Sequence, residues 1–424
     1  MNQLRATLQL LGKPRTVLII FIVGFAIRAG MSLRLGESLL PLADQLVFLD
    51  MAENIAEGKG MVISQEIIGI PAYVSDSLRA EMMSRPERIR DMGLNAQWGI
   101  IKPDTPTAFF EPFYPFFVGA IRYVFGRTPG ILAERTELIP IGPRVTIVRL
   151  FQSLFDALVI LILYYLGVAL FTPATGGIAA LIYCFYPHSI IFVANIVTQN
   201  TYLFLQAVMV FFFVKTLKNQ SWQNYVLLGL SAGLTLLTRI SLITFIPFIA
   251  LCLYLPLRKQ LRWERFAVAL ALLVIMMIPW VVRNYQVFSE VIVLPTKGGR
   301  NLWEYNNQIF TEEKRTGKAT GVDLLYQNFA KRNYDSLKRQ DLIEFPEFTD
   351  ETEIERDRIL NQNVKGFIRA NPWIYVQLCG FRFYQLFRVT PRSLAGPIAT
   401  LASWLSFGWI LPASFIGLFL SFRR

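Results

Sequence analysis

Long apolar runs separated by short charged clusters set the pattern of this chain. Residues 16–34, 146–171, 174–193, 198–217, 222–238, 242–257, 266–282 and 399–422 each approach the roughly 20 apolar residues that a helix needs to cross a bilayer. They predict an all-α, polytopic bundle of about eight transmembrane helices. Two further apolar stretches, 109–125 and 373–389, carry internal Arg, Gln or Pro and are read as helices lying along the membrane surface.

Charge orients this bundle. With both stretches on the surface, Lys13 and Arg15, Lys215 and Lys218, the cluster Arg258, Lys259, Arg262 and Arg265, and the terminal Arg423 and Arg424 all fall on one side. Cationic loops stay in the cytoplasm, so that side is inside. Counting only 109–125 as a span would move those clusters outside. Two long segments, 36–144 and 285–371, then lie outside. The second is mixed in charge and poor in Pro, which predicts a small folded cap containing a helix over 353–370. Residues 1–284 thus form a transmembrane module that includes the outer loop, 285–371 the cap, and 372–424 a surface helix and the last span. The expectation is a multi-pass protein of a bacterial or archaeal plasma membrane, with its active surface extracytoplasmic.

Composition agrees and narrows the class. Hydrophobic residues make up 54% of the 424 positions and mean hydropathy is +0.42, yet 17% are charged, as in a membrane protein with substantial aqueous loops. A net charge of +12 raises the question of nucleic acid. The cations sit at span ends, however, where lipid phosphate and the inside bias account for them, so no nucleic acid is expected. Cys184, Cys252 and Cys379 are odd in number and widely spaced, which supports neither a disulfide framework nor a zinc motif. The first span reads as retained rather than as a cleaved signal. No Gly-rich phosphate loop followed by Lys-Ser/Thr is present, so a cytoplasmic ATPase is not supported.

Candidate chemistry gathers at the outer span ends. The segment LADQLVFLDMAENIAEGKG, residues 42–60, places Asp44 just beyond the first span, where a carboxylate can work at the interface. The plainer alternative is a helix cap or a solvated loop acid. Asp50 and Glu53 fall on other faces of such a helix and are read as solvated. Glu111 precedes a Pro-Tyr-Pro helix at the membrane surface, where an acid is costly without a partner; it also suits a helix N-terminus. Arg239 and Arg283 end two spans at the depth of a lipid phosphate, whose oxygens fit the guanidinium fork. Snorkelling anchors are the alternative, which the inside bias of cations disfavours. Lys297 and Arg300 flank the Gly298-Gly299 turn and can add side-chain or backbone N–H groups to that phosphate site.

Other positions read as structural. Arg149 and Asp156 lie seven apart on nearly one helix face and suit buried polar contacts, as does Arg28. His188, the one histidine, follows Pro187 at a helix break; it supplies at most half of a mixed metal site with Glu111 and suits an interfacial hydrogen bond. Phe109, Phe110, Phe113, Tyr114, Phe116 and Phe117 fit either a groove for an isoprenoid tail or an aromatic belt.

Several of these runs resemble the membrane glycosyltransferases of GT-C type that use polyprenyl-phosphate sugars, including protein O-mannosyltransferase and aminoarabinose-transferase relatives. Asp44, Phe48, Ala52, Gly58 and Gly60 resemble that family's Asp-x3-Tyr-x3-Ala-x5-Gly-x-Gly outer loop, and FFEPFYPFFVGAIRYVFG its Pro-x-Tyr-Pro juxtamembrane helix. FQSLFDALVILILYYLGVALF, the Tyr186-Pro187 step before IVTQNTYLF, and LTLLTR ending at Arg239 follow in order. PWVVRNYQVFSEVIVLPTKGGRNLWEYNN is similar to the family's Pro-Trp-x-x-Arg-Asn-Tyr signature followed by Gly-x-Asn-Leu-Trp. Two positions depart: Gln45 and Gln199 stand where relatives carry acids, which leaves a divalent metal open.

The resemblance implies a GT-C-like bundle with external juxtamembrane helices and a small cap. It implies inverting transfer of a sugar from a polyprenyl-phosphate donor to an extracytoplasmic protein, lipid or glycan. Asp44 would be the general base, and Arg239, Arg283, Lys297 and Arg300 would hold the donor phosphate. An acid-Pro motif in the aminoarabinose transferases implies acceptor or metal contact for Glu111. Tyr114, His188, Gln199, Asn284, Asn301 and Trp303 complete the implied substrate contacts, with Asn307 in the same signature. A lipid-binding or lipid-translocating protein using the same groove without chemistry is the rival reading, and a degenerate scaffold a third.

Overall fold

A computed structural model describes residues 2–36, 43–64, 101–102, 104–126, 144–257, 261–304, 306, 348, 350–389 and 397–421. Among them are helices and one antiparallel bridge, Val62 with Pro106, but no strand. They form two compact units: Met1–Met61 with Glu111–Val293, and Val62–Phe110 with Leu294–Arg424.

In the first unit, short breaks punctuate the apolar runs. Helix α1 (Asn2–Leu11) gives way at Gly12 to α2 (Pro14–Leu35), which starts on a proline whose missing N–H costs nothing there. Then come α3 (Ala43–Ala56), α4 (Phe113–Phe125), α5 (Val145–Leu170), α6 (Pro173–Cys184), α7 (Pro187–Phe192), α8 (Thr198–Lys218) and α9 (Trp222–Thr238). A 3-10 turn, Ile240–Phe245, leads into α10 (Ile246–Leu257), and α11 (Trp263–Phe288) closes the unit. Among the described residues, five helices are long and apolar enough to cross a membrane: Pro14–Leu35, Val145–Leu170, Thr198–Lys218, Trp263–Phe288 and Thr400–Leu420. The remaining predicted spans are shorter elements. Residues 174–193 divide at Pro187 into α6 and α7, 222–238 make a 17-residue helix, and 242–257 begin as a 3-10 turn.

Hydrogen bonds between their ends fix the relative directions of α2, α5, α8, α9 and α11. Tyr164 donates to the Gly12 carbonyl, so the start of α2 meets the end of α5. Lys218 reaches the Ala169 carbonyl, Asn224 the Lys215 carbonyl, and Arg265 the Gln220 carbonyl. The cationic ends of α2, α8 and α11 therefore share one end of the unit, with the ends of α5 and α9 that face them. Helices α9 and α11 run parallel: Gly229 abuts Ala269, and one turn on Gly233 abuts Met276 and Leu273. Small residues let these backbones approach closely, as helix pairs in lipid require. Gly167 and Gly176 do the same for α5 and α6, where a Cβ on Gly167 would lie 2.4 Å from the Gly176 Cα.

A polar core ties the membrane helices together. The Arg28 guanidinium and Asp156 carboxylate, both fully buried, pair at 2.5 Å between α2 and α5. Arg28 also donates to the carbonyls of Gly24, Tyr183 and Cys184 and to the Ser189 hydroxyl. Tyr183 and Cys184 end α6, where the break before Pro187 leaves carbonyls without helical partners. A cation suits such a helix end. Tyr183 and Ser189 donate in turn to Asp156.

On the opposite end, α3 and α4 pack side by side. Gly119 makes room for Ile55, whose Cγ2 would lie 2.9 Å from an added Cβ. Glu53 is not solvated as expected: it is buried and binds Arg122 through two bonds, at 2.5 and 2.7 Å. Helix α4 begins later than the apolar stretch 109–125 suggested, because Pro112 sits at its N-cap.

In the second unit, α12 (Gly298–Glu304) rests on α13 (Glu353–Ala370), which has the predicted bounds. Thr352 and Glu355 form a capping box at its start, and the Thr352 donors hold the Glu355 carboxyl below its usual range. Helix α14 (Pro372–Gln385), then α15 (Pro397–Ser403), a π-helical turn Trp404–Gly408 and α16 (Trp409–Ser421) follow.

Candidate active site

Each predicted site residue has a backbone reason for its place. Asp44 lies in the first turn of α3; its side chain is outside the described residues, as are Asn307 and the loop residues 65–100. Its neighbour Gln45 is fully buried and accepts the Ile196 N–H at 2.9 Å. That bond fastens α3 to the 193–197 loop between α7 and α8. Two α5 side chains hold the same loop. Arg149 donates to the carbonyls of Ala194 and Gly36, both at 2.7 Å, and Gln152 donates to those of Val193 and Asn195. Tyr114 is fully buried, edge-on to Phe48, and gives its hydroxyl to Gln152 at 2.5 Å. It therefore supports the loop from within.

The loop delivers Thr198 and Gln199 at the start of α8. Gln199 is exposed, and Thr198 accepts a bond from the Arg239 guanidinium at 3.3 Å. The same guanidinium lies over the Tyr202 ring, 5.7 Å from its centre. Glu111, 5% exposed, accepts the Ile240 N–H at 3.0 Å, immediately after Arg239. His188 is exposed and stacks on Phe192.

Arg283 lies near the end of α11, about one turn beyond the residue that the parallel register sets beside Arg239. It donates to Asn284 Oδ1 at 3.0 Å and to the Met61 carbonyl, and lies over the Trp280 and Phe288 rings. Asn284 is buried and donates to the Ile292 carbonyl. Between the two helix ends lies an aliphatic groove of about 380 Å³, lined by Leu236, Ile240, Ile243 and Ile246 on one side and Leu273, Met277, Val281 and Val282 on the other. Two of its walls, Ile240 and Val282, are the chain neighbours of Arg239 and Arg283.

Backbone positions of Asp44, Glu111, Gln199, Arg239, Arg283 and Asn284 thus occur at the end of the first unit opposite the cationic clusters, and Tyr114 and His188 belong to the same unit. Lys297, Arg300, Asn301 and Trp303 belong to the second unit. Lys297 and Arg300 lie over the rings of Phe110 and Phe109. The Gly299 N–H, proposed from the sequence as a phosphate donor, is used by Asp357 at 2.6 Å. Gly299 is required by packing, because a Cβ there would lie 2.3 Å from the Asp357 carbonyl oxygen. Burial pushes the Asp357 carboxyl up despite that donor. Asn301 is exposed and Trp303 half-buried on the same short helix. Among the described residues, no three His, Cys, Asp or Glu side chains group as a metal site would require.

Sequence reasoning did not single out Thr198, Tyr202 or Gln152. Thr198 and Tyr202, four apart and flanking Gln199 in the IVTQNTYLF run, share a helix face, which is the signal available for them. No curated protein and no solved structure matches the chain. Residues 136–282, which include α5 to α10, Arg239 and most of α11, match the family model described as dolichyl-phosphate-mannose-protein mannosyltransferase, and in that stretch the chain is similar to that family.

Proposed function

We propose that the protein is an inverting glycosyltransferase that moves a sugar from a polyprenyl phosphate to an extracytoplasmic acceptor. The observation that carries the proposal is the aliphatic groove lined by Ile240 and Val282, the chain neighbours of Arg239 and Arg283. A polyprenyl tail suits the groove, and its phosphate suits two guanidinium groups at the groove's end. The family match over 136–282 supports the same donor class. Eight crossings, with the cationic clusters inside by charge bias, put this end outside.

Asp44 takes the proton from an acceptor hydroxyl or amine as its oxygen or nitrogen attacks the anomeric carbon. The bond from that carbon to the phosphate oxygen breaks, and configuration inverts. Negative charge develops on the departing polyprenyl phosphate, where Arg239 and Arg283 stabilise it. Asn284, His188 and Gln199 are assigned to sugar and acceptor contacts. Gln45 spends its amide oxygen on Ile196 and brings no second carboxylate beside Asp44.

The test uses purified protein in lipid nanodiscs with polyprenyl-phosphate mannose carrying labelled mannose, and membrane extract as acceptor, with and without a chelator. Transfer of label is expected. The rival lipid-binding reading, which the groove alone would satisfy, predicts thermal stabilisation by the lipid with no label moved.

A further inference from the structure

We infer that Glu111 is a positioning residue that aims Arg239, rather than a ligand of the acceptor or of a metal. This rests on the reading of Arg239 as a donor-phosphate ligand.

Helix α9 stops at Thr238, and Arg239 is extended, with φ −152° and ψ 118°, before the 3-10 turn begins at Ile240. A break of this kind inside apolar surroundings strands backbone N–H groups, and an unpaired one is costly. Both amides around Arg239 are paired. The Arg239 N–H donates to the Thr235 carbonyl at 2.9 Å, and the Ile240 N–H to Glu111 Oε1 at 3.0 Å. Glu111 thereby fixes the peptide from which the Arg239 side chain leaves the helix. Thr198 Oγ1 and the Tyr202 ring then set the far end of that side chain. Glu111 is 5% exposed, so its carboxylate is turned inward. The Ile240 N–H needs an oxygen acceptor and no charge, so an amide at position 111 keeps this bond.

The experiment measures binding of polyprenyl phosphate, without sugar, to the full-length protein in nanodiscs, together with KM and kcat for labelled transfer. Glu111→Gln is expected to bind within about twofold of wild type. Glu111→Ala should lose roughly tenfold in binding and lower kcat as well as raise KM, because the guanidinium that holds the phosphate and stabilises its developing charge is no longer held in place. Arg239→Ala should lose at least as much, and adding Glu111→Ala to it should weaken binding no further. Equal losses in Glu111→Gln and Glu111→Ala would show that the carboxylate itself is used and would overturn the inference. So would additive losses in the double variant. Wild-type binding by Arg239→Ala would instead remove the phosphate reading, and this inference with it. Should Glu111→Ala fail to fold, Glu111→Gln alone decides: near-wild-type binding supports positioning, and lost binding contradicts it.

Discussion

Replacing Asp44 by Asn is expected to lower the transfer rate by roughly 10²- to 10⁴-fold, the usual worth of a general base, while polyprenyl-phosphate binding stays near wild type. Asn keeps the size and hydrogen-bonding oxygen of Asp but cannot take the acceptor proton at neutral pH. The fold should tolerate the change, because other residues hold α3. Gln45 binds the Ile196 N–H, Glu53 binds Arg122, and Phe48 packs edge-on against Tyr114 with ring centres 5.1 Å apart. Labelled transfer under saturating donor, alongside lipid binding, checks this. Undiminished transfer by the folded variant would strip Asp44 of its role.

The second large effect concerns stability. Asp156→Ala should destabilise the protein by about 3–5 kcal/mol, since it leaves the buried Arg28 guanidinium without its counter-charge in a region with little water to replace it. Ser189 and Tyr183 lose their acceptor at the same time. The double variant Arg28→Met with Asp156→Leu should cost less than the single one, because no stranded charge remains. It will still cost something, because the Tyr183 and Cys184 carbonyls at the end of α6 lose their donor. Denaturant titration in detergent micelles separates these outcomes. A single variant as stable as wild type would mean the pair contributes nothing.

Much of the helical plan could be read from hydropathy and charge. Parity grouped Lys215, Lys218, Arg262 and Arg265 with Lys13 and Arg15, and the contacts from Gly12 through Ala169 and Gln220 to Arg265 bring those helix ends together. The same parity makes α9 and α11 parallel, and so puts Arg239 and Arg283 toward the same end. Hydropathy does not see interruptions, however. An apolar average over 174–193 hides the break before Pro187, and the average over 242–257 hides the 3-10 turn that Glu111 caps. Partners from distant helices were not legible either. Arg149 and Asp156 share a face, but seven residues of helix rise about 10 Å, too far to touch. Each instead serves another element, Asp156 binding Arg28 and Arg149 the 193–197 loop. Glu53 read as solvated because its partner Arg122 lies 69 positions along. Gln45 looked like a lost acid, and its amide instead fastens α3 to the loop that presents Thr198.

The most direct measurement is a density map of the protein in nanodiscs with polyprenyl-phosphate mannose bound. The account predicts the tail in the groove between α9 and α11, the phosphate oxygens within hydrogen-bond reach of Arg239 and Arg283, and the Asp44 carboxylate facing the anomeric carbon. Density for the phosphate at the cationic end, or a carboxylate turned away from the sugar, would contradict it.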